Sequence, residues 1–527
     1  MSDNVVDLIM LETATSTRPR AAYITAAVVA AGVTLAVGEL LAGLVERVPS
    51  TLSAIGAIAV DNVPTSIERW AIDTFGTGDK AVLIIGITLT TLLIAAAVGS
   101  WMYRSGVVVA APIFVGFGVV GLMASLNQTL ISIPLTILAA VLSTGSGLYA
   151  LYWLLQAPDR SLTDTVVGDP TDGLPADPSR RQFVGRAAGL GAAAAAGGML
   201  GRRLLTATRV SDVELPDAAG TLAAPSPDNQ FLIDGLKPVI TPNDKFYRID
   251  TALVTPRVSL DRWTLKIDGF VDNPLEFTFD ELTSRDLVED YVTISCVSNN
   301  VGGRLVGNAK WTGVRLVELL EEAGPTDQAE QVVGWSVDRW ASGFPIEAVF
   351  DGREPLVAVA MNDEPLPARH GFPARLIVPG LYGYVSATKW LERIELTSWD
   401  GFDSYWVPRG WAKEGPIKTH SRIDVSDNRA TLEQGEVVVA GVAWAPLKGF
   451  ERVEVQLNDE LWTEAELTEP LSDKAWIQWK ATISVPAGDH LVRVRATDGT
   501  GETQTAAIAP PAPDGATGHH TIELRAR

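Results

Sequence analysis

Hydrophobic residues are distributed along this chain in three different ways. Up to about residue 200 they form long, nearly uninterrupted runs. From residue 246 they alternate or recur at helical spacing in short segments, and after residue 424 they alternate only. The runs 21–45, 81–102, 107–125 and 130–155 each approach the ~20 apolar residues that cross a bilayer's hydrocarbon, and predict four membrane-spanning helices. The run 54–60 is too short to span and predicts an interfacial or re-entrant piece. Strand-like 263–269 and helix-like 315–323 predict an α+β domain that ends near His420. Beyond it, strands at 436–444, 451–457, 462–467, 476–483, 490–498 and 521–525 predict a β-sandwich of about a hundred residues. Turn signals at Lys448-Gly449, Asn458-Asp459 and Asp498-Gly499 separate them. The segment 211–228, rich in Pro, Ala, Gly and Asp, reads as a tether. The expected domains are thus 1–160, 161–210, 211–422 and 423–527.

Charge adds direction to this pattern. Arg18, Arg20 and Arg104 flank the apolar runs on what is then the cytoplasmic side, although Arg47, Arg69 and Lys80 dilute the bias. Ser179-Arg-Arg-Gln-Phe-Val184, followed by the Ala/Gly-rich run 187–200, resembles a twin-arginine export signal placed inside the chain. That resemblance implies a fifth crossing, with everything after Arg203 outside. Paired arginines also serve as a plain cytoplasmic anchor. The formal charge of −21, from 63 acidic and 42 basic residues, repels phosphates and excludes nucleic acid as a partner. Glu39 lies within the first run, near its outer end, and is read as interfacially solvated or bundle-packed before any proton or quinone role. None of the five histidines falls in an apolar run, which leaves no pair to hold a membrane haem. The helical part reads as an anchor or docking module in membrane lipid.

A single cysteine, Cys296, sits in Thr293-Ile-Ser-Cys-Val-Ser-Asn-Asn-Val-Gly-Gly303, where a β-rich run opens into a polar loop. It has no partner for an intrachain disulfide, so packing, a reactive thiol or a metal bond remain. Downstream come Gly307-Asn-Ala-Lys-Trp-Thr-Gly-Val-Arg315, Arg369-His-Gly-Phe-Pro-Ala-Arg-Leu-Ile-Val-Pro-Gly380 and Tyr382-Gly-Tyr-Val-Ser-Ala-Thr-Lys-Trp390. In order and spacing, these segments resemble the sulfite oxidase family of molybdopterin oxidoreductases.

The resemblance covers roughly residues 241–525. It implies a sulfite-oxidase-like α+β molybdopterin domain followed by an all-β immunoglobulin-like dimerisation sandwich, hence a possible homodimer. It implies Cys296 as molybdenum ligand and catalytic residue, with Phe246, Tyr247, Arg248, Asp338, His370, Arg375, Ala387, Thr388 and Lys389 holding the pterin. In that reading Arg375 and Lys389 neutralise its phosphate, Asp338 accepts from its N–H groups and His370 donates to it. A small-molecule substrate is implied, with a separate electron carrier: a cytochrome c, a copper protein or a quinone-linked protein. Oxygen-atom transfer with two electrons needs such a cofactor, because side chains do not perform it alone.

The departures concern the substrate. Where the family places arginines around the metal, this chain has Asn299-Asn300-Val301 and Tyr384-Val385-Ser386, and Arg248 is displaced by one position. A doubly charged sulfite is poorly served by that set. A small sulfur or oxyanion-type substrate remains the expectation, with protein-methionine-sulfoxide or other sulfoxide reduction as the alternative. A cofactor-free binding or scaffold protein is the reading from another class.

Overall fold

The computed structural model describes residues 18–156, apart from eight positions between 65 and 77, together with 178–206 and 213–527. The cytoplasmic loop expected at 161–177 and the start of the tether at 211–212 lie outside the described residues. The chain separates into two compact units, one helical and one built on β-sheets.

The helical unit contains α1 (Arg20–Leu44), α2 (Thr51–Asn62), α3 (Asp79–Ser105), α4 (Ala110–Leu126), α5 (Ile133–Leu155) and α6 (Pro178–Thr206). Among the described residues, five helices, all but α2, are long and apolar enough to cross a membrane. The short run at 54–60 forms most of α2, whose first turn is capped by Ser50 accepting from the Ser53 N–H. Helix α1 packs against α3, α5 and α6. Small residues permit this: Gly99 of α3 lies against the backbone of Tyr23 and Ile24, and Gly147 of α5 lies against Ala30 and Thr34. The fifth helix is longer than the run 187–200, and Arg180 and Arg181 are exposed within its first turn.

In the second unit the chain lays down β1 (Thr264–Gly269), β2 (Leu275–Thr278), β3 (Val288–Ser295), β4 (Val306–Arg315), β5 (Gln331–Ser336), β6 (Ala341–Pro345), β7 (Leu356–Met361), β8 (Glu364–Pro365), β9 (Arg375–Ile377) and β10 (Leu391–Thr397). They make one mixed and one antiparallel sheet. One has the order β2-β1-β10-β5-β6, and the other β3-β4-β7-β8 with β9 paired to β7. Only the β1–β10 pair in the first sheet is parallel. The predicted helix at 315–323 is α7 (Leu316–Ala323), whose buried stripe Leu316, Leu319, Leu320 and Ala323 follows the i, i+3, i+4, i+7 spacing.

The C-terminal part consists of β11 (His420–Val425), β12 (Ala430–Leu432), β13 (Gly435–Trp444), β14 (Phe450–Leu457), β15 (Thr463–Glu464), β16 (Glu466–Leu467), β17 (Ile477–Val485), β18 (Gly488–Asp498) and β19 (His520–Ala526). Two sheets, β11-β13-β17-β16 and β12-β19-β18-β14-β15, share a core that includes Val439, Val453, Val455, Trp479, Val492 and Val494. Two features were not expected. β11 and β12 precede the first predicted strand, and the run 462–467 is split. Thr463–Glu464 pairs with β14 in one sheet, whereas Glu466–Leu467 pairs with β17 in the other. Alternation continues across such a corner, so a hydrophobic pattern does not reveal it.

The expected tether is docked instead. Ala219 N–H donates to the Leu287 carbonyl at 2.8 Å, Tyr291 Oη to the Ala223 carbonyl at 3.0 Å, and Glu469 N–H to the Asp228 carbonyl at 2.9 Å. Its Pro/Ala/Gly composition carries no periodicity. It is fixed through backbone groups that composition does not report.

Candidate functional site

β3 ends at Ser295, and the chain leaves the sheet at Cys296. The Cys296 N–H still donates to the Leu305 carbonyl (2.9 Å), while its Sγ lies 2.9 Å from Ser298 Oγ. The loop is closed by Asn299, whose Oδ1 accepts the Leu305 N–H at 2.9 Å. Gly302 has φ +73°, and a β-carbon there would collide with the His520 ring. Glycine is required by both conditions. The C-terminal sheets also hold this loop, because Arg422 donates to the Gly303 carbonyl at 2.8 Å while pairing with Asp424 at 2.7 Å, both side chains being buried. Further along, Trp476 N–H donates to Thr293 Oγ1 (2.8 Å), and Trp476 Nε1 donates to the Val239 carbonyl (2.7 Å).

Tyr247 and Lys389 lie near Cys296, and other predicted residues gather around them. Phe246 stacks on Tyr247, with ring centroids 5.4 Å apart, and meets Trp311 and His370 edge-on at 5.9 and 5.8 Å. Arg375 opens β9 and lies with its guanidinium carbon 5.0 Å from the Trp311 ring centre. It donates through Nη1 to the His370 carbonyl (2.9 Å) and through Nη2 to the Ala387 carbonyl (3.5 Å). Thr388 Oγ1 lies 2.8 Å from Ser342 Oγ and donates to the Gly334 carbonyl at 3.2 Å, anchoring the 387–389 segment to the first sheet. Lys389 pairs with Asp250 at 2.9 Å, and Arg248 binds the same carboxylate at 2.8 Å. Asp338 accepts the Trp340 N–H at 3.1 Å. Burial raises its pKa, and the nearby Asp250 charge acts in the same direction.

Electrostatics distinguishes these groups. Burial pushes the Cys296 thiol above its ordinary pKa, and the pull of Ser298 and Lys389 does not reverse it. Lys389 pulls the thiol toward its ionised form, and burial outweighs that pull. Burial lowers Lys389 to about 8 against the opposing pull of Asp250, and lowers Arg375 to about 10. Tyr247 is raised by burial and by the neighbouring cysteine. His370 is pushed down to about 3, by burial first and then by Lys389, Arg375 and Arg369. It is therefore neutral near pH 7. Its Nε2 lies 2.8 Å from the Asn243 carbonyl and must carry the proton, so Nδ1 is an acceptor. That reverses the donor role expected for His370.

Two buried polar atoms of this cluster have no hydrogen-bond partner: His370 Nδ1 and Arg375 Nε. Such groups are rare in folded proteins and strongly disfavoured when left unpaired. Side by side they offer one acceptor and one charged donor, the complement of a ring N–H and an anionic oxygen. Among the described residues no group of three His, Cys, Asp or Glu side chains gathers as a metal cage. A metal on Cys296 would take its remaining ligands from a cofactor, and its charge would supply what the buried thiolate lacks. The residues present thus fit a molybdenum–pterin group.

Comparison with known proteins agrees. Residues 252–406 match the model of the oxidoreductase molybdopterin binding domain. Over 156 residues the chain is 32% identical to the Bacillus subtilis protein named Uncharacterized oxidoreductase YuiH, covering 30% of this chain and 75% of that one. The chain belongs to the molybdopterin-binding oxidoreductase family. It is also 28% identical over 320 residues to the mitochondrial sulfite oxidase of Rattus norvegicus, across 51% of this chain and 58% of that relative's length. It therefore spans little more than half of that relative. A solved structure, the sulfane dehydrogenase SoxCD of Paracoccus pantotrophus, aligns over 54% of this chain and 81% of its own at 23% identity and a TM-score of 0.47. Helices α1 to α6 lie outside the matched residues.

Several participants escaped the sequence reading. Asn243 fixes the His370 tautomer through its carbonyl, Ser298 contacts the thiol, Trp311 carries Arg375, and Asp250 joins Arg248 to Lys389. Asp250 was detectable, being an acid two residues after Arg248. The others act through a backbone carbonyl, a hydroxyl and a ring face, none of which stands out in a sequence.

In the two segments where family arginines were missed, the side chains have other tasks. Asn299 closes the cysteine loop. Tyr384 donates to the Ala412 and Glu414 carbonyls at 2.7 and 3.1 Å, and Ser386 donates to Leu381 and Tyr382 at 3.2 and 3.0 Å.

Proposed function

We propose that this oxidoreductase is a membrane-anchored molybdopterin enzyme that performs two-electron oxygen-atom transfer on a small sulfur or oxyanion-type substrate outside the cytoplasmic membrane. The observation that carries it is a buried Cys296 whose neighbours Tyr247 and Lys389 also adjoin Arg375 and His370, whose Nε and Nδ1 are unpartnered. In this reading Cys296 is the metal ligand. Arg375 and Lys389 bind the pterin's anionic end, His370 Nδ1 and Asp338 accept its N–H groups, Phe246 and Tyr247 wall the cradle, and Ala387 and Thr388 set its floor. When bound, the group supplies the two-electron redox couple and the transferable oxygen. The chain's own residues exclude water around the thiol, hold Lys389 positive below about pH 8 and fix the His370 tautomer through Asn243.

A second reading, reduction of a neutral sulfoxide such as an oxidised methionine, is favoured by the commitment of Asn299, Tyr384 and Ser386 to internal hydrogen bonds. It needs no dianion pocket. Turnover by the full-length, molybdate-loaded chain with a reduced or oxidised artificial carrier, across sulfite, sulfoxides and N-oxides, separates the two. Fast sulfite oxidation supports the first reading alone, and sulfoxide reduction the second. Metal-free but folded protein from a molybdate-replete host supports the cofactor-free scaffold.

The placement has its own test. The apolar helices α1 and α3–α6 support anchorage, and Arg180-Arg181 in the first turn of α6 supports twin-arginine export of a folded domain. Changing both arginines to lysine should leave the first four helices inserted and the β-rich unit protected from protease in intact cells. Unchanged surface exposure overturns export by this route. The two C-terminal sheets are read as an immunoglobulin-like dimerisation domain, and light scattering of the purified chain tests the homodimer. The electron carrier is read as a separate cytochrome c, copper protein or quinone-linked protein.

A further inference from the structure

β3 is the outermost strand of its sheet, so the edge turned away from β4 carries backbone groups that the sheet leaves unpaired. The loop between β16 and β17 pairs them. Ser472 Oγ donates to the Tyr291 carbonyl at 2.5 Å, and the Thr293 N–H donates to the Lys474 carbonyl at 3.0 Å. These are alternate residues of one strand edge. Lys474 Nζ adds a pair with Asp290 at 2.6 Å, and Trp476 N–H binds Thr293 Oγ1. The strand that delivers Cys296 is thus fastened to the C-terminal sheets at Thr293, just before the thiol.

Beyond the thiol the chain is fastened again. Arg422 of β11 sends Nη1 to the Gly303 carbonyl and Nε to Asp424, so one planar guanidinium serves two partners at once, which a lysine ammonium cannot do in the same geometry. His520 opens β19 and accepts the Ile423 N–H through Nδ1 at 3.0 Å, which fixes its ring. The Cδ2–Nε2 edge of that ring stands where a β-carbon of Gly302 would be. The stretch 294–301, with Cys296 in it, therefore runs between two anchors that belong to the C-terminal sheets. We propose that Arg422 and His520 are positioning residues for Cys296, and that the C-terminal sheets, beyond any part in dimerisation, set where the thiol stands. The use of that position rests on the reading of Cys296 as the metal ligand. A metal–sulfur distance tolerates an error of only about 0.2 Å, so a loop free to shift presents a poorer ligand.

Cys296 is the only cysteine in the chain, and a thiol reagent therefore reports on this loop alone. The test labels the full-length chain from molybdate-starved cells with a maleimide at fixed pH. When reclosing outruns the reagent, the rate follows the population of the opened loop. Labelling of the buried wild-type thiol should be slow. Arg422→Lys keeps a cation beside Asp424 but loses the bond to Gly303, and should speed labelling by roughly ten- to a hundredfold. His520→Ala should act in the same direction, and it carries the test if Arg422→Lys does not fold. Val455→Ala, in the core of the C-terminal sheets, is the control: it should lower Tm yet leave the labelling rate within about twofold of wild type. From molybdate-replete cells, the two loop variants should also retain less molybdenum than this control. Labelling no faster in either loop variant than in Val455→Ala, or undiminished molybdenum in both, overturns the proposal. A wild type that takes up no molybdenum but keeps the labelling contrast refutes the metal reading and leaves the positioning of the thiol standing.

Discussion

The cradle around Arg375 and His370 and the mouth beside Cys296 are built from the same kinds of side chain but finished differently. In the cradle, buried polar atoms remain unpaired. In the mouth, Asn299, Tyr384 and Ser386 make hydrogen bonds within the chain, and Lys389 pulls the thiol toward its ionised form. The contrast accords with the proposal that cofactor and substrate are held by different groups. A site that awaits a ligand keeps unmet hydrogen-bonding capacity, whereas one that has lost a ligand class spends it on its own backbone.

The sharpest way to break this contrast is at the thiol. Cys296→Ser should keep the fold and lower turnover by about three orders of magnitude or more, because a serine oxygen is a harder, poorer partner for molybdenum. Steady-state rates within a few-fold of wild type remove the ligand role. Sulfite probes the mouth. Two missing charged hydrogen bonds, at ~1.5–3 kcal/mol each, should weaken its apparent affinity by roughly two to four orders of magnitude relative to a sulfite oxidase. Micromolar saturation with fast turnover would show a rebuilt anion pocket. The cradle is tested by Arg375→Met, which should reduce retained pterin in dialysed protein by roughly ten- to a hundredfold while leaving Tm almost unchanged.

A smaller effect is expected from Lys389. It is protonated below its lowered pKa of about 8, so raising the pH through 8 removes a cation, and competitive inhibition by sulfate should weaken by about tenfold between pH 7 and 9.5. A flat profile, or one unchanged by Lys389→Met, contradicts this.

A separate effect, on stability rather than on binding, lies in the β-rich unit. Burial lowers His420 and His520 to about 4. Between there and the ordinary value near 6.5 the unfolded chain binds more protons, so stability present above about pH 6.5 should fall by ~2–4 kcal/mol as the pH drops toward 4. Denaturation at fixed ionic strength reads it. A pH-independent midpoint would mean that these rings titrate normally.

Much of this was legible in the sequence where hydrophobic period and residue type decide the outcome. The four long apolar runs, the leucine stripe of α7 and most sandwich strands are such cases. So is the convergence of Cys296, Arg375 and Lys389, which the quoted motifs implied before any coordinates. What was not legible depends on backbone groups. The docking of 213–230, the corner between β15 and β16 and the inverted role of His370 are each fixed by a carbonyl or amide, and every residue type has those. The fate of the mouth was half visible. The resemblance implies arginines where this chain has other residues, and the structure shows that Asn299 and Tyr384 are already occupied.

X-ray absorption at the molybdenum edge, with elemental analysis, on wild type and Cys296→Ser addresses the thiolate itself. The expected result is about one molybdenum per wild-type chain with a protein sulfur in its coordination shell, and loss of that one sulfur in the variant. Wild-type protein that folds without molybdenum, or a sulfur shell unchanged by the substitution, would contradict it.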